Sequence, residues 1–248
     1  GMRARMRDEM LPPRMNMIGD ETLGAGGFAN AMRTLPILLD YARHIEEVNP
    51  GVTLINLANP MSIIIEALNR YTKIHAIGIC DQPETTIRKV ANLLVHPAEE
   101  LSFDYIGLHH LGWIQDVRYD NRSKMSKLLE ALESREEEGF DFDLIELFRM
   151  IPTEATGKFF HRAEILKKQQ ACSRFRAEVL YEAELQILKL YEDKHLCEVP
   201  DLTRQRNTVW YEESLLPVIR SLEGAGAKDH ILCVRNGESI RDLPEDCS

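Results

Sequence analysis

The sequence predicts an α/β protein: a parallel sheet with crossover helices, followed by an α+β region. Between residues 52 and 94, short apolar runs of strand length alternate with stretches of helical periodicity. This alternation is typical of parallel strands joined by helices. After His96 and Pro97 the alternation stops and long helical stretches dominate. We therefore predict two domains, covering residues 1–97 and 98–248.

The elements of the first part follow from apolar spacing and from the turn residues that bound each run. Pro36 lies inside the first helical stretch and predicts a kink or a late start there. Pro60 turns the chain after the first strand, and Pro83 follows the second. The predicted elements are a helix over 27–48, a strand over 52–57, a helix over 62–71, a strand over 74–79 and a helix over about 84–94.

In the second part, two strands are predicted to be joined through residues 109–112 and followed mainly by helices. The helix over 162–194 carries an apolar stripe that predicts core or subunit packing, formed by Phe175, Val179, Leu180, Ala183, Ile187, Leu190 and Tyr191. The predicted elements are strands over 103–108 and 113–119, helices near 123–138, 141–149, 162–194 and 209–223, and a late strand over 230–234.

Composition excludes several classes of protein. The 30 basic and 40 acidic residues give a net charge of −10, which argues against a nucleic-acid partner. The sequence contains no run of 18 apolar residues, so it predicts no membrane span. The basic N-terminus is not followed by an apolar stretch, so it does not predict a signal peptide. Gly1 before Met2 is typical of tag removal. Five dispersed cysteines predict no disulfide framework and favour a reducing cytoplasm.

Polar side chains follow the predicted strands where a parallel sheet binds ligands, beyond the carboxyl ends. Asn59 follows the first strand, the pair Cys80 and Asp81 follows the second, and the pair His109 and His110 follows a third. A thiolate and an imidazole from separate strand ends suit Mn²⁺, Fe²⁺, Co²⁺ or Zn²⁺. The alternative is that Cys80 is a buried apolar thiol and His110 a core histidine.

Two further features permit more than one interpretation. The glycine-rich run GAGG over 24–27 precedes a helix and offers backbone N–H groups to an anion, but it follows no strand and so makes no dinucleotide fingerprint. The chain contains neither a G-x-G-x-x-G motif nor a P-loop. Tyr211 is a candidate general base if a cation such as Arg206 lowers its pKa; otherwise it is a packing residue.

The order of these segments resembles glycoside hydrolase family 4, which comprises NAD- and metal-dependent 6-phospho-glucosidases and α-galactosidase-like enzymes. The resemblance includes ANP over 58–60, GICDQP over 78–83 and GLHHLGW over 107–113. It also covers 8–12, 18–27, 32–36, 181–191, 206–211 and 234–244. It implies the second half of a Rossmann-like nucleotide-binding domain over 1–97. It further implies an α+β catalytic domain, similar to the C-terminal domain of lactate and malate dehydrogenases, over 98–248.

The family resemblance also implies a mechanism that departs from the usual pair of carboxylates. NAD⁺ takes a hydride from C3 of the sugar, a base removes the C2 proton, and the C1 leaving group is eliminated. Water then adds and the hydride returns. A divalent metal, Mn²⁺ above all, holds the C2 and C3 oxygens as a Lewis acid. The implied substrate is a phosphorylated sugar or glycoside.

The resemblance also implies a role for each residue of this chain that matches a motif of the family. Cys80 and His110 match the metal ligands. Tyr211 matches the base that removes the C2 proton, with Arg206 favouring the phenolate. Asp81 matches an acid or substrate contact at the glycosidic oxygen. The remaining matches are Asn59 at substrate and nicotinamide, Glu21 in the pocket wall, Arg5 at the sugar phosphate with Arg3 and Arg7 as competitors, and His109 at substrate where the family usually has Asn.

Two alternatives stay open at this point. From the resemblance, we expect the chain to begin after the strand, glycine-rich loop and helix with which the family begins, and to end before the family's last helices. A catalytically silent remnant that serves as a binding or oligomerisation domain is therefore one alternative, and a malate- or lactate-dehydrogenase-like oxidoreductase is another. Unpaired apolar faces favour a homo-oligomer, either a dimer or a tetramer.

Overall fold

The computed structural model describes residues 1–134, 139–206, 211–225, 229–245 and 247–248, without the side chains of 204–206. The chain forms two compact units. The first unit comprises Gly1–Ile79, Ala163–Lys228 and Leu232–Ser248, and the second comprises Cys80–Arg162 and Asp229–Ile231. The sequence-based division at residue 97 stays a prediction.

The described residues contain the helices and strands expected of an α/β region and of an α+β region. The helices are α1 Met2–Arg14, α2 Gly24–Val48, α3 Met61–Tyr71, α4 Asp81–Leu94, α5 Met125–Leu132, α6 Phe142–Phe148, α7 Gly157–Phe160, α8 Arg162–Ala171, α9 Arg176–Leu190 and α10 Leu216–Leu222. The strands are β1 Thr53–Asn56, β2 His75–Gly78, β3 Leu101–Leu108, β4 Leu111–Tyr119, β5 Arg122–Ser123 and β6 Ile151–Pro152. A parallel and an antiparallel sheet therefore coexist, and the predicted α/β class is confirmed.

The first unit contains the parallel sheet. Strands β1 and β2 pair in parallel from Thr53 opposite His75 to Asn56 opposite Gly78. Helix α3 is the crossover between them. It buries Ile64, Ile65 and Leu68 almost completely, because positions four residues apart share one helix face. Each such side chain contributes about 1.5–3 kcal/mol through removal from water.

The second unit is built on an antiparallel hairpin. Strands β3 and β4 pair from Leu101 opposite Tyr119 to Leu108 opposite Leu111. Strands β5 and β6 pair with β4. Helices α4 and α5 cover the hairpin in a core with fully buried side chains. Among them are Val90, Ile114, Val117, Leu128 and Ile151. The hairpin thereby holds its turn, at residues 109 and 110, on a rigid support.

Several sequence-based expectations were wrong in detail. Helix α2 begins at Gly24, so the late start at Pro36 is wrong. The long helix over 162–194 is interrupted between Ala171 and Arg176. A new start is favoured there because the side chain of Glu178 accepts a hydrogen bond from the Phe175 N–H at 2.7 Å. Helix α1 was not predicted from the sequence.

Three smaller differences concern the last predicted elements. Helix α5 ends at Leu132, and residues 135–138 lie outside the described part. Residues 211–222 form a five-residue π-helical turn, Tyr211–Leu215, followed by α10. The expected strand over 230–234 reduces to a single bridge, in which Cys233 and Gly78 exchange backbone hydrogen bonds of 2.8 and 2.9 Å. Within the described residues, no helix is both long enough and apolar enough to cross a membrane.

Candidate functional site

Cys80 lies between the end of β2 and the first residue of α4. It is half-buried, and its Sγ lies 3.8 Å from Oδ1 of Asp81. The pKa of the Cys80 thiol is raised to about 12, mainly by burial; a backbone hydrogen bond at Gln82 opposes this rise, and the Asp81 carboxylate adds to it. Without a cation nearby, Cys80 is therefore a neutral thiol.

His109 and His110 form the two-residue connection between β3 and β4. His110 is buried and has a left-handed backbone with φ of 61°. The left-handed region costs a residue with a side chain roughly 1–3 kcal/mol, and such residues concentrate at functional sites. The two imidazole rings lie 4.0 Å apart, centroid to centroid. The hairpin thus presents two nitrogen ligands side by side.

The structure brings Cys80, His109 and His110 together in the second unit. One donor atom from each residue lies within 4.8 Å of the other two. A thiolate and two imidazoles are a donor set for a transition metal rather than for Mg²⁺ or Ca²⁺. The residues present therefore fit a divalent transition-metal ion. His109 belongs to the same cluster as Cys80 and His110.

Tyr105 is a further side chain of this site that the sequence did not reveal. Its phenolic oxygen lies against the main chain at Gly112, two residues after His110. Burial raises the pKa of Tyr105, and the nearby Cys80 adds to the shift. Tyr105 is therefore a neutral hydroxyl beside the donor cluster.

A second polar cluster lies in the first unit, around Glu21. The Arg5 guanidinium contacts Oε1 of Glu9 at 3.0 Å and Oε1 of Glu21 at 2.7 Å. Burial nevertheless raises the pKa of Glu21; Arg5 opposes this shift, and the charges of Asp20 and Glu9 add to it. The charge of Arg5 is therefore shared between two carboxylates, and Glu21 is a carboxyl group in an unfavourable environment for its ionised form.

Asn30 joins two of the predicted substrate residues. Its Nδ2 donates to the carbonyl oxygen of Glu21 at 3.0 Å and to that of Asn59 at 2.9 Å. The Thr34 hydroxyl donates to Oδ1 of Asn30 at 3.2 Å and orients the amide. Sequence reasoning missed Asn30. The available signal was an amide, a poor helix former, in the interior of a predicted helix.

The glycine-rich run over 24–27, which forms the first turn of α2, serves chain packing. A Cβ on Gly26 would lie 2.2 Å from the carbonyl oxygen of Asp20, and one on Gly27 would lie 2.2 Å from that of Thr22. Oδ1 of Asp20 accepts hydrogen bonds from the N–H groups of Thr22 and Leu23, at 2.7 and 2.9 Å, and shapes the turn. Main-chain oxygens crowd these glycines, so the environment disfavours an anion.

The other site residues predicted from the sequence are not among the contacts described above for the two clusters. Tyr211 begins the π-helical turn, and 46% of it is exposed. Arg206 ends the short helix Asp201–Arg206, but its side chain lies outside the described part, as do residues 207–210. Arg3 and Arg7 are the two other candidates for the sugar phosphate. Arg3 hydrogen-bonds Tyr181, and this bond raises the pKa of Arg3; Arg7 is exposed.

Comparison with known proteins gives two family matches. Residues 1–96 match the model of the family 4 glycosyl hydrolases, and residues 105–248 match that of the family 4 glycosyl hydrolase C-terminal domain. A 6-phospho-beta-glucosidase of Escherichia coli is 28% identical over 260 residues, which include 98% of this chain and 57% of that protein.

Solved structures that resemble this chain include the same kind of relative, a 6-phospho-beta-glucosidase. A 6-phospho-beta-glucosidase from Thermotoga maritima, in a crystal form with NAD and glucose-6-phosphate, superposes with a TM-score of 0.87 and 29% identity. The match covers 99% of this chain and 59% of that one. A second structure of that enzyme, with manganese, NAD⁺ and glucose-6-phosphate, gives a TM-score of 0.85 and 28% identity. This chain thus spans less than two thirds of the length of these relatives, and it belongs to family 4 of the glycosyl hydrolases.

Proposed function

We propose that this chain acts on glycosides of 6-phospho-glucose by redox elimination, with a divalent metal, Mn²⁺ in the first place, at Cys80 and His110. The observation that carries the proposal is the cluster of Cys80, His109 and His110 at the ends of two strands. The structures of relatives with manganese, NAD⁺ and glucose-6-phosphate support this substrate class and this metal.

The donor set determines what the site can hold. A bound divalent ion supplies Lewis-acid polarisation of the sugar oxygens. Cys80 contributes a thiolate only when a cation is present, because its pKa is raised to about 12 in the buried site. His110 contributes a ring nitrogen from a backbone held in the left-handed region. His109 is a third ligand or a substrate contact.

Proton transfer is assigned to two residues. Tyr211 removes the proton at C2 of the sugar, and a phenol needs nearby positive charge to act as a base at neutral pH. Asp81 donates a proton to, or hydrogen-bonds, the glycosidic oxygen. Its exposed carboxyl next to Cys80 is consistent with a group that meets substrate.

The cluster in the first unit is assigned to substrate binding. Glu21 and Asn59 contact sugar hydroxyls, and Asn59 also contacts the nicotinamide. Asn30 supports this assignment because its amide binds the main chain of both. Arg5 is the candidate for the 6-phosphate, but a phosphate there has to compete with the carboxylates of Glu9 and Glu21.

The glycine-rich run over 24–27 fits the pyrophosphate of a nucleotide less well than the donor cluster fits a metal. Gly26 and Gly27, in the first turn of α2, are crowded by main-chain oxygens, which would repel a pyrophosphate. We therefore do not assign the pyrophosphate of NAD to this run. The crowding of Gly26 and Gly27 is the observation that favours the second candidate function, a catalytically silent binding or oligomerisation domain.

The test of the proposal is hydrolysis of p-nitrophenyl 6-phospho-glucosides of both anomers, with NAD⁺ and Mn²⁺ supplied. We expect release of p-nitrophenol that depends on Mn²⁺ and is lost in Cys80→Ser but kept in Cys172→Ser, an exposed cysteine far along the chain. Absence of turnover, together with absence of Mn²⁺ binding, would favour the silent domain. Light scattering of the same samples tests the predicted homo-oligomer.

A further inference from the structure

Residues 153–156, which we call the 153–156 turn, follow β6 directly and are buried apart from Glu154. Thr153 and Ala155 are 1% exposed and Thr156 is fully buried. A turn with two buried hydroxyls is unusual, because a buried hydroxyl lowers stability unless it is hydrogen-bonded. The partners of these hydroxyls therefore indicate what the turn holds.

One side of the turn holds the segment that carries the histidines. The carbonyl oxygen of Gly112 accepts hydrogen bonds from the Thr153 N–H at 2.9 Å and from Oγ1 of Thr156 at 3.2 Å. The hydroxyls of Thr153 and Thr156 lie 3.1 Å apart and hydrogen-bond each other. Gly112 comes two residues after His110. The turn thus fixes the main chain immediately after the imidazole ligands.

The other side of the turn holds the segment that carries the cysteine. The Ala155 N–H donates to Oε1 of Gln82 at 3.1 Å. Gln82 lies in the first turn of α4, two residues after Cys80. Segments far apart in the sequence, one around Cys80 and one around His110, are therefore hydrogen-bonded to the same four residues.

We infer that the 153–156 turn is a positioning element that sets the spacing between the thiol of Cys80 and the imidazoles of His109 and His110. The inference rests on the metal site of the proposed function and adds Thr156 and Gln82 to it as positioning residues. A site held in its binding geometry loses less entropy when it binds an ion, so loosening either side lowers metal affinity. Groups that orient metal ligands change affinity by about 10–100-fold when they are removed.

The variants separate this role from a general contribution to folding. Thr156→Val removes the hydroxyl at nearly constant volume, and Thr156→Ser restores it. Gln82→Met removes the acceptor at a half-buried position. Thr72→Val is the matched control, because the Thr72 hydroxyl donates to the carbonyl oxygen of Leu68 at 2.7 Å in the first unit.

The experiment is a Co²⁺ titration of the full 248-residue chain, followed by thiolate-to-metal charge-transfer absorption, with circular dichroism as the check of folding. We expect Thr156→Val and Gln82→Met to weaken Co²⁺ binding by about 10–100-fold. Thr156→Ser and Thr72→Val should bind like the unmodified chain. If Thr156→Val does not fold, Gln82→Met carries the test.

Two negative results have different meanings. Equal Co²⁺ affinity in the unmodified chain, Thr156→Val and Gln82→Met would overturn the positioning role and leave the metal site intact. Absence of a charge-transfer band in the unmodified chain, and no difference from Cys80→Ser, would overturn the metal site and the positioning role with it.

Discussion

Gly112 makes room for Tyr105: a Cβ on Gly112 would lie 1.6 Å from the phenolic oxygen of Tyr105 and 2.3 Å from its Cζ. No side chain fits at position 112 while the ring stays in place. Because Gly112 also accepts the hydrogen bonds of Thr153 and Thr156, its main chain is held from two directions. Gly112 therefore links the β3–β4 connection, which carries His109 and His110, to the Tyr105 phenol beside Cys80.

The first prediction is that Gly112→Ala disturbs both stability and metal binding. The added methyl group has to push the Tyr105 ring away or move the main chain after His110, and overpacking of this kind costs about 1–3 kcal/mol. Urea unfolding and the Co²⁺ titration measure the two effects. Gly51→Ala is the control, because nothing but an Asn49 side-chain atom, at 3.8 Å, comes near that Cβ. Equal unfolding midpoints for both variants would contradict the prediction.

The second prediction concerns the dependence of stability on pH at Glu21. Burial raises the pKa of Glu21 in the folded protein, so the folded state binds that proton more tightly than the unfolded chain does. The contribution of Glu21 to stability is therefore present below its unfolded pKa and is lost as the pH rises through the folded pKa. Glu21→Gln cannot ionise and lacks this loss.

Urea unfolding of the two proteins at about pH 4 and about pH 7 tests this sign. Relative to the unmodified chain, Glu21→Gln should be more stable at the higher pH than at the lower one. The opposite trend would mean that the ion pair with Arg5 outweighs the burial of the carboxylate.

The third prediction is that the Asn30 amide stabilises the first unit. Asn30→Leu removes two part-buried hydrogen bonds to the carbonyl oxygens of Glu21 and Asn59, and a typical hydrogen bond contributes about 0.5–1.5 kcal/mol to stability. The free energy of unfolding measures the loss. Asn69→Ala removes an exposed amide that donates to Oγ of Ser248 at 2.7 Å, and it should change little. A loss at Asn69 as large as that at Asn30 would refute a specific role for Asn30.

Local pattern accounts for the part of the fold and site that the sequence predicts. The strands around Ile55 and Ile77 are apolar runs bounded by turn residues, and parallel strands place the residues that follow them at one edge. Cys80 could therefore be found as a candidate ligand from its place in the chain. His109 and His110 could be found because they interrupt two strand-like runs.

What the sequence could not predict depends on partners that are distant along the chain. Thr156 and Gly112 are 44 residues apart, and Ala155 and Gln82 are 73 apart, so no local pattern signals their hydrogen bonds. Helix α1 carries Pro12 and Pro13, which disguise its periodicity. The late strand predicted over 230–234 is reduced to one bridge, because its pairing at Cys233 depends on the distant Gly78.

The fourth prediction decides between two functions of the glycine-rich run in the first turn of α2, which are packing and anion binding. A Cβ on Gly26 would meet the carbonyl oxygens of Asp20 at 2.2 Å and Asp8 at 2.5 Å, and both belong to the main chain, which yields less than a side chain. Alanine raises intrinsic helix stability by up to about 1 kcal/mol over glycine, which works against the expected effect. We still expect Gly26→Ala to lower the free energy of unfolding, because overpacking costs about 1–3 kcal/mol.

Urea unfolding with and without inorganic phosphate measures both functions at once. A packing role predicts a loss of stability that phosphate does not change; unaltered stability together with lost phosphate protection would instead make the run an anion site.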